Sequence, residues 1–218
     1  MILHGIGDSR LGAAGFAPIF LARGYDVLLP DSRGHGASEG EIVTFGVREK
    51  YDVLAWVRWM RDEGCTDLYA LGESLGAAVL IQTIGLKPVF RAIVAECAYT
   101  DLRTIAIYRV REHLSLPKWL SGVVAEVVVT GGLVYARARY GVNLAEASPL
   151  ASVKKAKTPI LLIHGMNDTE TPSFHSSRLA ETSSSAVLWL VPKADHTRAN
   201  AVAPREFQQR VQDWFAQH

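Results

Sequence analysis

The sequence predicts an α/β fold: a mostly parallel sheet covered by helices on both faces. Three observations lead there. Short apolar runs of strand character recur at residues 2–3, 25–30, 68–71, 89–95, 158–163 and 186–191. Helix-spaced segments separate most of them, which is what parallel strands need for their crossovers. Polar and titratable residues stand just past the strand ends, at His4, Asp31, Ser74, Glu96, Asp168 and His196. In open sheets of this kind, ligands bind beyond the carboxyl ends of the strands.

Taken in order, residues 2–3 lead into the glycine-rich turn His4-Gly5-Ile6-Gly7-Asp8. Apolar residues at helical spacing predict a helix over 11–22, closed by Gly24. A strand at 25–30 enters the polar loop Asp31-Ser32-Arg33-Gly34-His35-Gly36-Ala37-Ser38. Val47, Tyr51, Leu54, Val57 and Trp59 mark an amphipathic helix over 45–61. The run 68–71 stops at Gly72, and an apolar helical segment follows Gly76. After the strand at 89–95 the rhythm breaks. Residues 102–145 are helical in pattern, with no strand of the main sheet. Strands at 158–163 and 186–191 then alternate with helices at 173–181 and 204–217.

At 218 residues, 49% of them hydrophobic, the chain fills one sizeable domain rather than two, so 1–218 is expected to form one unit with 102–145 inserted into it. A formal charge of +1 gives no electrostatic case for nucleic acid or an anionic membrane. The most apolar stretch, 123–134, is short for a membrane span and is interrupted by Glu126 and Thr130. Cys65 and Cys97 make no disulfide framework, and the seven histidines are scattered without an H-E-x-x-H motif. No metal or organic cofactor is expected. The chain opens on a strand end without a leader pattern, so the visible residues point to the cytoplasm.

The chemistry centres on Gly72-Glu73-Ser74-Leu75-Gly76, a G-x-S-x-G elbow between strand and helix. A nucleophile on so sharp a turn is strained, and the two glycines let strand and helix approach. Asp168 follows a later strand in His164-Gly165-Met166-Asn167-Asp168, and His196 follows the next in Ala194-Asp195-His196. A serine hydroxyl needs a base to take its proton, and the base needs an acid to orient it. Ser74, His196 and Asp168 supply the three, with Glu96 as rival acid and Asp101 as a weaker one.

With that set and the chain order Ser…Asp…His, the sequence resembles the α/β-hydrolase superfamily, and within it the Bem46-like and prolyl-oligopeptidase-related serine hydrolases. The further landmarks are His4-Gly5 and the D-x-R-G-x-G-x-S loop at Asp31–Ser38. The resemblance implies an oxyanion hole made by the backbone N–H groups of Ile6 and Leu75, a structural role for the 31–38 loop, and a helical lid at 102–145. It also implies strands ahead of His4 that are not in this sequence, which would leave an exposed sheet edge where two copies could pair.

The expected activity is hydrolysis of carboxylic esters, with thioesters as the neighbouring class, through an acyl-enzyme on a small-molecule acyl substrate. The alternatives are a peptidase or acyl-aminoacyl hydrolase, and a non-catalytic binding protein of the same fold. In the insertion, Tyr108, Leu114, Leu116, Trp119, Leu120, Val123 and Val127 would form an apolar wall to an acyl pocket, or the helices would simply pack on the body. Arg103, Arg109 and Arg111 would instead hold a carboxylate.

Overall fold

The computed structural model describes residues Met1–His218. Five parallel strands form one sheet in sequential order: β1 (Ile2–Leu3), β2 (Tyr69–Glu73), β3 (Ala92–Glu96), β4 (Ile160–Gly165) and β5 (Ala186–Val191). Successive side chains leave a strand on opposite faces, and the core divides accordingly. Leu3, Ala70, Ile93, Ile160 and Leu162 join one cluster, and Ile2, Leu71, Val94, Leu161 and Ile163 join the other.

The second of these clusters is closed by α1 (Arg10–Ala13), α2 (Ala17–Leu21) and the carboxyl-terminal α10 (Pro204–Gln217), through Ala13, Phe20, Phe207, Val211 and Phe215. The first is closed by α3 (Glu49–Asp62), α4 (Leu75–Leu86), α7 (Pro149–Val153) and α8 (Phe174–Thr182). Ten of the twelve residues of α4 are buried, which is why its sequence is apolar on every side. A short α9 (Ala199–Val202) precedes α10.

Three elements differ from the sequence-based expectation. Residues 25–30 form no strand; their one backbone hydrogen bond to the sheet is the Ile2 amide donating to the Leu28 carbonyl at 2.9 Å. A two-residue β1 is too short to template a ladder beside it. The helix expected over 11–22 is broken into α1, a 3₁₀ turn at Ala14–Phe16, and α2. Pro18 sits in the first turn of α2, where its missing N–H costs nothing, so the helix restarts there. The helix expected from 45 begins at Glu49. The buried Glu49 carboxylate accepts from the Thr44 and Gly46 amides at 2.6 and 2.7 Å and from the Thr44 hydroxyl at 2.6 Å, which holds 44–48 as a turn.

Residues 102–145 contain no strand. They form α5 (Leu102–His113) and α6 (Lys118–Tyr140), which pack on each other. Arg103 is tied to Glu126, and Arg109 pairs with Glu170 at 2.8 Å, so two of the three candidate carboxylate-binding arginines already hold protein carboxylates. The apolar wall does not form as expected either. α6 buries Ser121, Ala125, Val129 and Ala136, and turns Trp119, Val123 and Val127 out into solvent. At 23 residues α6 is also longer than the apolar core read from the sequence, and by length and composition it could cross a membrane.

Candidate active site

Ser74 lies where β2 turns into α4, with φ 49° and ψ −107°, a conformation that non-glycine residues rarely adopt. Holding it costs on the order of 1–3 kcal/mol, so the surroundings must enforce it. They do so through close packing. A Cβ on Gly72 would stand 2.6 Å from the Gly76 carbonyl carbon, and one on Gly76 would stand 2.5 Å from the Leu3 carbonyl oxygen. The Ser74 amide donates to the Glu96 carbonyl at 2.8 Å, which fastens the elbow to β3.

Strands β4 and β5 deliver the other two groups. His196 Nε2 lies 3.0 Å from Ser74 Oγ, and His196 Nδ1 lies 2.7 Å from Asp168 Oδ2. The Asp168 side chain is fully buried. Its other oxygen, Oδ1, accepts from the Glu170 and Thr171 amides at 2.9 and 2.8 Å. Burial alone would raise the Asp168 pKa, but hydrogen bonds from His164, His196 and the Thr171 amide outweigh it and hold the carboxyl well below the usual carboxylate range. An ionised Asp168 requires a proton on His196 Nδ1, which leaves Nε2 free to accept from Ser74.

The reading of the sequence gave no role to His164, which the structure places against Asp168. Its Nε2 donates to the Thr171 carbonyl at 2.6 Å and lies 3.2 Å from Asp168 Oδ2. Its Nδ1 contacts the Ser176 hydroxyl at 2.7 Å. The signal available in the sequence was its position four residues before Asp168. The loop carrying His196 is pinned in turn: the Asn167 amide donates to the Ala194 carbonyl at 3.0 Å, and the Thr197 amide donates to Cys97 Sγ at 3.3 Å. Gly165 admits the Ala194 carbonyl where no side chain would fit. Ser74, Cys97 and Thr197 are three of the five non-glycine residues with positive φ, so backbone strain gathers at this site.

The rival acids lie elsewhere. Asp101 caps α5, accepting from the Thr104 amide at 2.8 Å. Glu96 is buried at the end of β3, where its Oε1 accepts from the Ala199 amide at 3.0 Å and its Oε2 has no partner. Neither carboxylate bonds to His196.

The predicted oxyanion donors are available. The Ile6 and Leu75 amides donate to no carbonyl or side chain, and a Cβ on Gly5 would stand 3.6 Å from Ser74 Cβ, so the turn carrying Ile6 abuts Ser74. His4 supports that turn. It accepts from the Ser32 amide through Nε2 at 3.0 Å, so Nδ1 carries the proton that bonds to the Gly5 carbonyl at 2.7 Å. The 31–38 loop is held by Asp31, which accepts from the Arg10 and Ala37 amides at 2.7 and 2.9 Å. Cys97 Sγ groups with Asp168 and His196 ligand atoms within 4.8 Å, but burial raises the thiol pKa, and a protonated sulfur is a poor metal ligand.

Glu73 and Glu96 face each other in the β2–β3 register. Burial, with Glu96 and Asp8 adding repulsion, raises Glu73 to about 8. Burial raises Glu96 to about 7 against the opposing Ala199 amide. Between the ordinary value of 4.5 and about 8 these two carboxyls therefore bind more protons in the folded chain than in the unfolded one, and their contribution to stability falls as pH rises through that window. Glu73→Gln should flatten the fall. Thermal melts across pH should show the variant gaining on the parent as pH rises, and a gap that does not change with pH would rule this out.

Residues 1–209 match a sequence model described as the Alpha/beta hydrolase family. The chain is similar to the uncharacterized protein YqkD of Bacillus subtilis (strain 168), 26% identical over 222 residues that cover 99% of this chain and 70% of the relative. It is similar in structure to the Pyrococcus furiosus esterase Pf2001, with 26% identity, 99% and 81% of the two chains covered, and a TM-score of 0.78. The Butyrivibrio proteoclasticus Est1E structure with ferulic acid bound shares the fold at a TM-score of 0.71 and 16% identity, over 99% and 87% of the two chains.

Proposed function

The chain belongs to the alpha/beta hydrolase family, and from that premise we propose that it cleaves carboxylic esters through an acyl-enzyme on Ser74. The supporting observation is the unbroken line Ser74 Oγ–His196–Asp168, with separations of 3.0 and 2.7 Å. Similarity to an esterase supports the choice of esters among acyl compounds.

In this reading Ser74 Oγ attacks the ester carbonyl as its proton passes to His196 Nε2. Asp168 holds the imidazole in the accepting tautomer and stabilises the imidazolium that forms. The carbonyl oxygen becomes an oxyanion, and the free Ile6 and Leu75 amides are the donors suited to receive it. Aimed donors of this kind contribute about 10²–10³-fold each. The tetrahedral species collapses as His196 returns its proton to the leaving alkoxide, and an alcohol departs. Water then attacks the acyl-enzyme, with His196 again taking and returning the proton, and releases the carboxylic acid. Thioesters fit the same sequence of steps, with a thiol leaving in place of the alcohol.

A fluorophosphonate probe should label the chain, and Ser74→Ala should abolish the labelling. Absence of Ser74-dependent labelling would leave only a binding protein of this fold. A series of p-nitrophenyl esters set beside aminoacyl amides separates esterase from peptidase: turnover of amides in preference to esters would overturn the ester assignment.

A further inference from the structure

We propose that α6 is a membrane-surface helix whose outward face docks on a phospholipid bilayer containing anionic headgroups. A surface helix ordinarily turns its polar side to water, but α6 also exposes large apolar side chains there. The residues facing the body are small or modest: Ser121, Ala125, Val129 and Ala136. The large apolar residues facing solvent are Trp119, Val123, Val127, Val128, Val134 and Tyr135, with Trp119 exposed to 74% and Val127 to 67%; Glu126, Thr130 and Arg137 are exposed among them. Trp119, Val123 and Val127 follow one another at i, i+4 spacing, and Val134 continues the same stripe two turns on. The exposed apolar surface therefore extends along most of a 23-residue helix, interrupted between Val127 and Val134 by Thr130 and Gly131.

The charges around that strip favour an anionic lipid surface. Residues 102–140 carry six basic side chains and two acidic ones, in a chain whose formal net charge is +1. The near-neutral total hides a positive region. Glu126, the only acidic residue of α6, is held by Arg103. Lys118 at one end of the helix and Arg137 and Arg139 at the other pair with no carboxylate, and neither does Arg111 on α5. Basic residues near an anionic surface strengthen attachment to it. Trp119 stands beside the basic amino-terminal end, and Tyr135 and Tyr140 stand at the other end. Aromatic residues with a polar edge favour that depth of a membrane.

Docking in the plane of the surface suits α6 better than spanning. Its inner face is already packed on α5, and a span would carry the Arg103–Glu126 pair into hydrocarbon. A second copy of the chain suits it less well. Both ends of the strip are basic, so pairing two such helices in either direction sets like charges together.

The test uses the full chain and sedimenting vesicles of phosphatidylcholine alone or with about one-third phosphatidylglycerol. Binding should be about tenfold or more tighter to the mixed vesicles and should weaken with added salt. Val123→Glu and Val127→Glu should each abolish it while hydrolysis of a soluble p-nitrophenyl ester is retained. Should those variants fail to fold, the combined Lys118→Gln, Arg137→Gln and Arg139→Gln chain tests the electrostatic part alone, and its preference for mixed vesicles should disappear. Failure to sediment with either vesicle would overturn the proposal, as would binding that neither substitution set weakens. So would a concentration-dependent dimer, seen by analytical ultracentrifugation and broken by Val127→Glu, without vesicle binding. None of these outcomes depends on Ser74 chemistry.

Discussion

Asp168→Asn should lower kcat for ester hydrolysis by about 10⁴-fold with the fold intact. An asparagine Oδ1 can still accept from the Glu170 and Thr171 amides, so the loop keeps its backbone ties. What changes is the atom facing His196 Nδ1 at 2.7 Å. An amide nitrogen there donates instead of accepting. The imidazole then takes its Nδ1 as the acceptor and carries its proton on Nε2, which points at Ser74 and cannot deprotonate it. Glu96→Gln tests the rival within the same series. Its Oε1 hydrogen bond to the Ala199 amide survives the substitution, and kcat should stay within about tenfold of the parent, because Glu96 touches none of the reacting groups. Steady-state kinetics on one activated ester, with melting temperatures as the folding control, distinguish the two. Near-normal turnover in Asp168→Asn together with collapse in Glu96→Gln would transfer the acid role to Glu96.

The placement of these residues was legible because each sits in a short motif fixed by local geometry. Gly72 and Gly76 are dictated by carbonyls that approach within van der Waals distance, and that constraint shows in five consecutive letters. Asp168 and His196 each follow their own strand, and parallel strand ends gather at one edge of a sheet whatever their separation in the chain. Contacts that depend on a particular register or fold-back were not legible. The Glu73–Glu96 pairing exists only once β2 and β3 are aligned, and His164 reaches Asp168 only because the loop after β4 curls back over the strand end. The strand expected at 25–30 has good local character but lacks the long partner a ladder needs. In α6 the periodicity identified a helix, yet periodicity cannot say which face is inward when both faces are apolar. Reading the charge as one sum of +1 also concealed the basic side chains of 102–140. The sequence allows that region either to wall a pocket or to pack on the body, and in the structure Trp119, Val123 and Val127 face away from the body.

Gly76→Ala should destabilise the fold by about 2–4 kcal/mol and cost about 10²-fold or more in kcat/KM in whatever fraction folds. The added Cβ would stand 2.5 Å from the Leu3 carbonyl oxygen and 2.8 Å from that of His4. Both are backbone atoms at the end of β1, so neither can swing aside as a side chain could. Relief must come from moving the His4–Gly7 turn away from α4 or from opening the Ser74 elbow. Either movement separates the Ile6 amide from the Leu75 amide, and an oxyanion hole depends on the two converging. Gly131→Ala is the matched control. Gly131 lies within α6, where nothing stands within 4 Å of an added Cβ, so the same substitution should stabilise by about 0.5–1 kcal/mol through helix propensity alone. Chemical denaturation of the two variants should therefore move in opposite directions. If Gly76→Ala were as well tolerated as Gly131→Ala, the close packing of β1 against the Ser74 turn would not be what holds Ser74 at positive φ.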